Sequence, residues 1–378
     1  MNPDVLIIGG GVIGLSIARE LRKKGVNRIT LLEKGRCGEE ASWAAAGMLS
    51  PQTEATEATP FFDLCCASRA MYPEFAAALS DETGIDIELD RAGTLYLAFT
   101  DDGVTEIRNR FDWQYAAGLR IENLSAGETI KFEPAISKNV RETLFFPNDW
   151  QVENRNLLPA LKRYAEINGV AIREHTQVEN LVVEDGRVTG AVTNGEVFRA
   201  DITVVATGAW TSLIKLGDVE MPLKIEPVRG QVIMYRLPQR SIRHVLCSSS
   251  GYLVPRRDGR ILAGSTLERV GFDKAIPDSG TSSLSSMAGE IVPELAGFAV
   301  TERWSGLRPC TSDTLPVIGG IDGFDGIYMA TGHFRNGILL APITAKLVAE
   351  NLVNNIDSAV LRNFGTGRFF KRSLGTVV

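Results

Sequence analysis

Three glycines at the start of the chain, Gly9, Gly11 and Gly14, have a spacing suited to holding a dinucleotide. They follow a short, almost wholly apolar run, residues 4–8, which is typical of a buried parallel strand. In the G-x-G-x-x-G pattern the glycines form a tight turn, let the backbone approach a pyrophosphate and let a helix pack closely on the strand. The expected helix, residues 12–24, directs its N-terminal N–H groups and its dipole at the phosphates.

A carboxylate stands where such a fold needs one. A second strand, residues 28–32, ends in Glu33, about 20 residues beyond the glycines, where a carboxylate can bind the hydroxyl groups of the adenosine ribose. Strand, glycines, helix, strand and acid in this order predict a Rossmann-like domain; the alternative is a glycine-rich turn without a nucleotide. The glycines do not separate nicotinamide from flavin dinucleotides, because both share this fingerprint.

Later segments favour a flavin held along its whole length. Residues 42–48 (SWAAAGM) are small enough to let the backbone approach something flat and bulky, although they could also form an alanine helix. Another strand ends in small residues at 206–208. A glycine loop, residues 331–337, opens an apolar helix at 338–353, with Asn336 as a suitable N-cap. The dipole of that helix would stabilise negative charge on a reduced flavin.

The composition is that of a globular protein with a substantial core: 378 residues, 44% of them hydrophobic and 23% charged. This length fits two domains, or a nucleotide domain that carries an insertion. The net charge of −6 argues against a nucleic-acid partner, which would require a basic face. We expect the basic residues of the first helix, Arg19 among them, to form a solvated surface.

The cysteines and histidines do not suggest a metal site or a disulfide framework. Five cysteines are scattered without a C-x-x-C pair, which favours a reducing compartment, and the three histidines are far apart. We therefore expect no metal. No apolar run approaches the ~20 residues needed to span a bilayer, and the first strand begins too close to Met1 to leave room for a leader. These features predict a cytoplasmic protein.

The middle of the chain differs from its two ends. Residues 51–60 are polar and bounded by proline, which indicates a loop, whereas residues 61–79 and 101–117 favour helices. Strand-like runs separated by turns between residues 226 and 265 predict a largely antiparallel sheet. We predict an α/β fold in which a discontinuous Rossmann-like domain carries an inserted, mainly antiparallel β domain with flanking helices.

The chain resembles the glycine oxidases of the thiamine-pathway type, within the D-amino-acid oxidase and sarcosine oxidase family of FAD-dependent enzymes. The resemblance runs from residue 5 to about residue 350, in the family's order. It is carried by the following stretches, the last two being the most specific: 9–14 with Glu33, 44–49 (AAAGML), 252–256 (YLVPR), 304–309 (WSGLRP) and 332–342 (GHFRNGILLAP).

The resemblance implies two domains and a non-covalently bound FAD. The FAD-binding domain is expected to comprise residues 1–86, 146–217 and 303–378, and the substrate-binding domain residues 87–145 and 218–302. Some relatives attach FAD through a cysteine, but at the position of Gly306. Cys310 stands where related glycine oxidases carry glycine. Leu267 stands where a methionine near the substrate is expected, which leaves the size of the pocket open.

The resemblance also assigns the site residues. It places Arg308 on the substrate carboxylate, Tyr252 as a hydroxyl contact and Arg335 beside the substrate, so these three are the expected catalytic residues. Val178 matches a position whose backbone meets the adenine. The expected cofactor-binding residues are Gly9, Gly11, Val12, Ile13, Gly14, Glu33, Lys34, Ser42, Ala45, Ala46, Gly47, Met48, Val178, Thr207, Gly208, Trp210, Arg308, His333, Phe334, Arg335, Asn336, Gly337 and Ile338.

The chemistry of the residue types agrees with these roles. A carboxylate requires a planar, permanently charged donor, and arginine can bind it through two N–H groups without losing its proton. A buried Arg308 needs an anion; the alternative is an internal salt bridge. Arg335 could instead cap a helix or pair with a surface acid, and Tyr252 could be a strand residue whose hydroxyl is satisfied locally. His333 is expected to be a packed loop histidine.

The implied reaction is the oxidative deamination of glycine and other small amines or D-amino acids, such as sarcosine and D-alanine. Hydride would pass from the substrate to flavin N5, and the imino acid would hydrolyse to a 2-oxo acid and ammonia, with oxygen reduced to hydrogen peroxide. One alternative is a glycine or D-amino-acid dehydrogenase that uses a quinone or protein acceptor; another is a non-catalytic FAD-binding subunit. The acceptor and a homo-oligomeric state stay open, and a thiamine-pathway role follows from the resemblance alone.

Overall fold

Two large β-sheets organise the chain in a computed structural model that describes residues 4–356 and 358–370. The strands are β1 (Val5–Ile8), β2 (Ile29–Leu32), β3 (Met48–Leu49), β4 (Thr94–Ala98), β5 (Glu122–Ser125), β6 (Glu142–Phe146), β7 (Trp150–Gln151), β8 (Ala171–Arg173), β9 (Asn180–Glu184), β10 (Arg187–Val192), β11 (Val197–Arg199), β12 (Ile202–Val205), β13 (Lys215–Leu216), β14 (Val219–Glu220), β15 (Glu226–Arg236), β16 (Val245–Ser248), β17 (Gly251–Pro255), β18 (Arg260–Gly264), β19 (Glu302–Cys310), β20 (Val317–Ile321) and β21 (Phe324–Thr331).

The helices follow the same order along the chain. They are α1 (Val12–Lys23), α2 (Ala41–Ala44), α3 (Pro51–Glu54), α4 (Pro60–Thr83), α5 (Asp101–Ala116), α6 (Ala126–Phe132), α7 (Asn154–Ile167), α8 (Asp278–Ile291), α9 (Gly337–Asn354) and α10 (Gly367–Phe370), with 3₁₀ turns at Gly208–Leu213, Pro293–Gly297 and Ala359–Asn363. The expected FAD-binding segments also include residues 1–3, 357 and 371–378, which lie outside the described residues.

The first sheet has eleven strands and contains the predicted Rossmann-like core. β1 lies between β2 and β12 and runs parallel to both, with Val5 opposite Ile29 and Ile202. β12 continues parallel to β21, and β2 to β8. On one face Val5 and Ile7 pack with α1, α4, α7 and α9, so β1 is buried. The parallel register brings the carboxyl ends of β1, β2 and β12 to one edge of the sheet.

The second sheet has eight strands in the order β19-β15-β18-β17-β16-β4-β6-β5. Its neighbours are antiparallel except β16 and β4, so the expectation of a mainly antiparallel sheet is confirmed. Two of the expected domain boundaries cut through its strands, at 145/146 in β6 and at 302/303 in β19. β19 pairs with β15 from Glu302 to Cys310, so these residues belong to the second sheet. The long-range pairing of β19 with β15 decides to which sheet these residues belong, and the local sequence does not show that pairing.

Local signals set the ends of helix α4. The Thr59 hydroxyl accepts a hydrogen bond from the Phe62 N–H, and Pro60 occupies the first helical position. Gly84 then ends the helix with a φ of 72°, in the left-handed region that favours glycine. The helix expected at residues 61–79 therefore extends to Thr83.

The expected loop at residues 51–60 is wrong at its start. Pro51–Glu54 form α3, and the carboxylate of Asp149 accepts the N–H groups of Gln52 at 3.3 Å and Thr53 at 2.7 Å. Asp149 therefore supplies the acceptor that a capping side chain would provide. It lies 96 positions beyond Thr53, so the local sequence cannot reveal it.

Arg19 does not belong to a solvated surface, contrary to expectation. Its side chain is 2% exposed, and Nη2 lies 2.7 Å from Oε2 of Glu82. The guanidinium also lies 5.2 Å from the ring centre of Phe75 and 5.3 Å from that of Tyr164. These partners come from α4 and α7, so the arginine joins three helices, and burial of its charge is compensated by the ion pair.

The short helix α2 packs between β19 of the second sheet and α7. The guanidinium of Arg155 contacts Trp43 of α2 and Trp304 of β19, at 3.7 and 4.3 Å from the ring centres, and the two rings meet edge to face. Trp304 Nε1 also donates to the carbonyl of Ala44 at 3.0 Å. These contacts fix α2 against the second sheet, at the border where the candidate site lies.

Candidate active site

A cavity of about 900 Å³ lies between the two sheets. The carboxyl ends of β1, β2 and β12 contribute to its lining, as do α2 with the segment after it, the loop before α9, and strands of the second sheet. All residues expected to bind cofactor or substrate line this cavity, with the exception of Gly14. The fold therefore brings together positions that are more than 300 residues apart in the sequence.

Gly14 lies behind the cavity wall, where α1 packs on β1. A Cβ atom at Gly14 would lie 2.0 Å from the carbonyl oxygen of Gly9, and one at Gly9 would lie 2.4 Å from that of Ala206. Gly9 also has a φ of 108°. Gly14 thus permits close packing of helix and strand, the role expected of the third glycine of the pattern.

The N-terminus of α1 opens on the cavity. Its N-cap residue is Gly11, which has no side chain to accept hydrogen bonds from the first turn. The Val12 N–H donates to the Ser42 hydroxyl at 3.1 Å. Backbone N–H groups and the positive end of a helix dipole together form an anion site, so this end suits a pyrophosphate.

Glu33 lies beside this turn and is 8% exposed. Its Oε2 accepts the N–H of Gly10 at 2.7 Å, and its Oε1 accepts the N–H of Gly35 at 2.9 Å. A carboxylate has about four acceptor positions, so two remain for hydroxyl groups in the cavity. Two backbone bonds thus fix the carboxylate where a ribose diol can reach it.

Lys34 and Trp210 form another part of this end of the cavity. The Lys34 Nζ lies 3.3 Å from the centre of the Trp210 ring and 3.4 Å from Oε1 of Glu40. This cation–π contact holds the 3₁₀ turn that carries Trp210 against the strand end that carries Lys34. The other expected residues at this end are Val178, Thr207 and Gly208.

The backbone of residues 45–48 faces the cavity. The chain becomes extended directly after α2, so the segment is not a continuous alanine helix. Gly47 has a φ of 71°, and a Cβ there would lie 2.0 Å from the carbonyl oxygen of Val152. Nη2 of the buried Arg256 donates to the Ala46 carbonyl at 3.0 Å. The small residues of this segment therefore let the chain approach a flat ring system closely.

The loop before α9 contributes His333 and Asn336. His333 is 4% exposed, its Nε2 lies 3.1 Å from Oγ1 of Thr344, and burial lowers its pKa to about 3. It is thus a packed, neutral histidine at physiological pH. Asn336 occupies the N-cap position of α9, but its side chain accepts no hydrogen bond from the first turn, and its Nδ2 donates to Oε2 of Glu54 at 3.4 Å. The expected capping bond is therefore wrong, and the start of α9 at Gly337 lines the cavity.

Two glycines of the second sheet allow Arg308 and Tyr252 to enter the same end of the cavity. A Cβ at Gly230 would lie 2.2 Å from the guanidinium of Arg308, and a Cβ at Gly264 would lie 2.5 Å from the Tyr252 hydroxyl. Both side chains therefore lie over bare backbone. Arg308 and Tyr252 come close enough to interact electrostatically.

Arg308 is half-buried in the cavity wall rather than fully buried. Its Nη2 donates to the Ser265 hydroxyl at 2.6 Å, and its Nη1 donates to the Thr266 carbonyl at 3.2 Å. No carboxylate of the described residues forms an ion pair with it, so the internal salt bridge is not observed there. Burial lowers the pKa of Arg308. Arginine has five N–H donors, so an anion in the cavity can still be bound.

Arg335 lines the same cavity and does pair with an acid. Its Nη2 lies 3.1 Å from Oε1 of Glu54, which raises the pKa of Arg335. Glu54 itself lines the cavity, so the pair belongs to the site and not to a remote surface.

The two positions that differ from the family's pattern, Cys310 and Leu267, and the glycine at which some relatives attach FAD, Gly306, lie as follows. Cys310 is buried with its Sγ 3.3 Å from the Thr311 carbonyl, and it does not line the cavity. A Cβ at Gly306 would lie 2.5 Å from Cβ of Ala44, so a cysteine there would displace α2. This fits non-covalent FAD. Leu267 is 55% exposed and lies outside the lining.

Sequence reasoning missed three residues that line the cavity beside Arg308 and Arg335: Glu54, Ser265 and Gly230. Glu54 lies in a segment interpreted as a loop, and Ser265 follows a strand without any pattern of its own. Gly230 carried a usable signal, because a glycine inside an apolar strand often marks a close approach.

Comparisons with known proteins identify the family of this chain. The model of the FAD dependent oxidoreductase family matches residues 4–351. A glycine oxidase of Pseudomonas aeruginosa is 35% identical over 355 residues, which cover 93% of this chain and 94% of the relative. A bifunctional protein ThiO/ThiG of Trichormus variabilis is 34% identical over 392 residues, which cover 100% of this chain and 56% of the relative.

A solved structure extends the likeness to three dimensions. The crystal structure of glycine oxidase from Bacillus cereus matches with a TM-score of 0.89 at 31% identity, covering 96% of this chain and 98% of that one. Within the described residues no helix is long and apolar enough to cross a membrane, and no group of three or more His, Cys, Asp or Glu residues could hold a metal ion. The glycine turn, the open end of α1 and Glu33 fit the phosphates and ribose of FAD, and the chain belongs to the family of FAD dependent oxidoreductases.

Proposed function

We propose that the protein oxidises glycine and other small amines that carry one carboxylate, such as sarcosine and D-alanine. The product is an imino acid, which water converts to a 2-oxo acid and ammonia. One observation carries the proposal: Arg308 enters the cavity without a carboxylate partner among the described residues, and a substrate carboxylate supplies that partner. The relatives named glycine oxidase support glycine as a substrate.

The chain's own residues bind and orient the substrate. Arg308 binds the carboxylate while Ser265 and Thr266 hold its guanidinium from the protein side, and Tyr252 adds a hydroxyl contact. Fixing the carboxylate also fixes the adjacent Cα, and such orientation lowers a barrier by several kcal/mol. When bound, FAD supplies the two-electron oxidation.

No protein base is required in this scheme. The neutral amine of the substrate provides the electron pair that expels hydride from Cα. His333 does not serve as a base, because it is buried and its Nε2 contacts Thr344. Residues 45–48 and the start of α9 shape the wall against which the reacting atoms lie.

We also propose molecular oxygen as the acceptor, a cytoplasmic location and a role in the thiamine pathway. The names of the glycine oxidase relatives support oxygen, and the ThiO/ThiG relative supports the pathway. Five free cysteines support a reducing compartment.

Anaerobic titration of the FAD-loaded protein tests the proposal. Glycine, sarcosine and D-alanine should each bleach the yellow absorption of the bound FAD. Admission of air should restore this absorption, with one hydrogen peroxide formed for each reduced flavin that is reoxidised. Bleaching without prompt recovery would identify a dehydrogenase that needs another acceptor. If none of the three amines causes bleaching, the proposal is wrong.

A further inference from the structure

Glu54 lies in the cavity wall beside Arg335 and Arg308, the two arginines proposed to face the substrate. The proposed function does not use Glu54. Its Oε1 lies 3.1 Å from Nη2 of Arg335, and its Oε2 lies 3.4 Å from Nδ2 of Asn336. The Glu54 side chain is 25% exposed, and that of Arg335 is 48% exposed. A carboxylate and a guanidinium therefore face the space that a substrate would occupy.

Two buried side chains, Asp149 and Arg110, hold the segment around Glu54 in this place. The fully buried Asp149 accepts the N–H and the hydroxyl of Thr53, both at 2.7 Å. The guanidinium of Arg110 donates to the carbonyls of Thr53 and Ala55, the residues on either side of Glu54. Glu54 cannot leave its partner by a backbone movement unless these bonds break. Its position is thus set by the fold.

The charges at this end leave one cation uncompensated within the described residues. Arg335 is matched by Glu54, whereas Arg308 has no carboxylate partner there. Arg308 also interacts with both Arg335 and Glu54, so the three charges share one environment. One carboxylate neutralises Arg308. A second anionic group would meet an arginine that is already paired and a carboxylate that repels it.

We propose that Glu54 is a specificity-determining residue that restricts the site to substrates with a single carboxylate. Glu54 repels the second carboxylate of amino acids such as aspartate. It also engages the guanidinium of Arg335, which would otherwise bind that carboxylate. Specificity is a difference between two affinities, and a repulsive group contributes to it as much as an attractive one. This inference rests on the proposed function, because Arg308 must bind the first carboxylate.

Binding of unreactive carboxylates to the FAD-loaded enzyme tests the inference without turnover. Acetate and malonate, which carry one and two carboxylates, are titrated into the wild type and Glu54→Gln while the flavin absorption spectrum is followed. The ratio of dissociation constants should shift in favour of malonate by about tenfold, because a single charge a few ångströms away in a partly solvated site has an effect of this order. An unchanged ratio would overturn the inference.

Turnover provides a second readout with a matched pair of substrates. D-Aspartate and D-asparagine differ only in a carboxylate and an amide. The ratio of their kcat/KM values should rise about tenfold in favour of D-aspartate in Glu54→Gln, by the same electrostatic argument. A parallel change for both substrates, with the ratio unaltered, contradicts the inference and indicates that Glu54 only supports the structure.

Glu57→Gln is the matched control, because Glu57 is exposed three positions further along and does not line the cavity. Neither ratio should change in this variant, and equal shifts in both variants would contradict a local effect. The outcomes also separate the two proposals. If acetate does not bind the wild type, the proposed function fails and the inference fails with it. If acetate binds and the ratios are unchanged in Glu54→Gln, only the inference fails.

Discussion

The two ends of the cavity are built by different means. At the nucleotide end the groups that fit the phosphates and ribose belong to the turn around Gly9 and Gly11, to the open start of α1 and to the carboxylate of Glu33, which lie within the first 33 residues. At the substrate end they are the side chains of Tyr252, Arg308 and others, which come from separate elements of both halves of the fold.

This difference shows why one end can be recognised from a short motif and the other cannot. A backbone site depends on local dihedral angles and close packing, which a few glycines specify. A side-chain site depends on the register of distant strands, such as the pairing of Val228 with Arg308 that sets Arg308 over Gly230. The comparison predicts that the two ends can be damaged separately.

The largest effect should come from breaking the substrate end alone. In Arg308→Met the cation is lost while a side chain of similar length remains. The KM for glycine should rise about 100-fold or more, since truncating one partner of a hydrogen-bonded ion pair has a cost of that order. FAD should stay bound, because the phosphate end is unchanged.

Steady-state kinetics measure the KM for glycine, and the flavin absorption of the purified variant shows whether FAD stays bound. Arg308→Lys is the control, because it keeps the charge but loses the two-point geometry of the guanidinium. Its KM for glycine should lie between that of the wild type and that of Arg308→Met. A wild-type KM in Arg308→Met would remove the assignment of Arg308 to the carboxylate.

The reverse experiment weakens the nucleotide end. In Glu33→Gln an amide group replaces an acceptor oxygen, so it faces the N–H of Gly10 or Gly35. The dissociation constant for FAD should rise about tenfold, as expected when a buried donor loses its acceptor. The KM for glycine at saturating FAD should stay unchanged.

Equilibrium titration with FAD measures the dissociation constant for FAD, and steady-state kinetics with added FAD measure the KM for glycine. Glu39→Gln is the matched control, because Glu39 is exposed nearby. If the KM for glycine rose by the same factor as the dissociation constant for FAD, the two ends of the cavity would not be separable.

The smallest effect concerns the support behind Arg308 and depends on pH. Burial raises the pKa of Glu268, but hydrogen bonds from Arg229, Thr266 and Gln231 lower it to about 2. Because this pKa lies below the ordinary value of about 4.3, Glu268 stabilises the fold above that pH and loses its effect as the pH falls towards 2.

Chemical denaturation of the wild type and Glu268→Gln across this range measures the contribution. The wild type should be more stable by about 1 kcal/mol at pH 6, a value reduced by the partial exposure of the carboxylate. The difference should shrink between pH 4 and pH 2. A difference that is constant with pH would mean that the charge of Glu268 does not support this region.

Much of the first sheet could be predicted from the sequence. The apolar run of β1, the glycines and the strand before Glu33 fix a parallel unit through local patterns, and the structure has these elements within one residue of the expected bounds. The extent of β19 and the cap of α3 by Asp149 could not be predicted, because both depend on partners far away in the sequence.

The candidate site shows the same division. The glycine turn and Glu33 follow from spacing and chemistry, whereas the roles of Tyr252 and Arg335 were expected only through the resemblance to a family. Neither the spacing of residues nor the resemblance to a family indicated Glu54. Its significance arises from its contact with Arg335, which joins residues 281 positions apart. Proximity of this kind is a product of the fold.

Trp43 and Trp304, which both contact the guanidinium of Arg155, give this protein an intrinsic optical reporter. Trp43 belongs to α2 and Trp304 packs against it, and the α2 residues Ala41, Ser42 and Ala44 line the cavity. A flavin absorbs in the range where tryptophan emits, so cofactor in the cavity would quench the emission of these two rings by energy transfer. Loading and loss of the cofactor could then be followed in the unlabelled protein, in real time, from its own fluorescence.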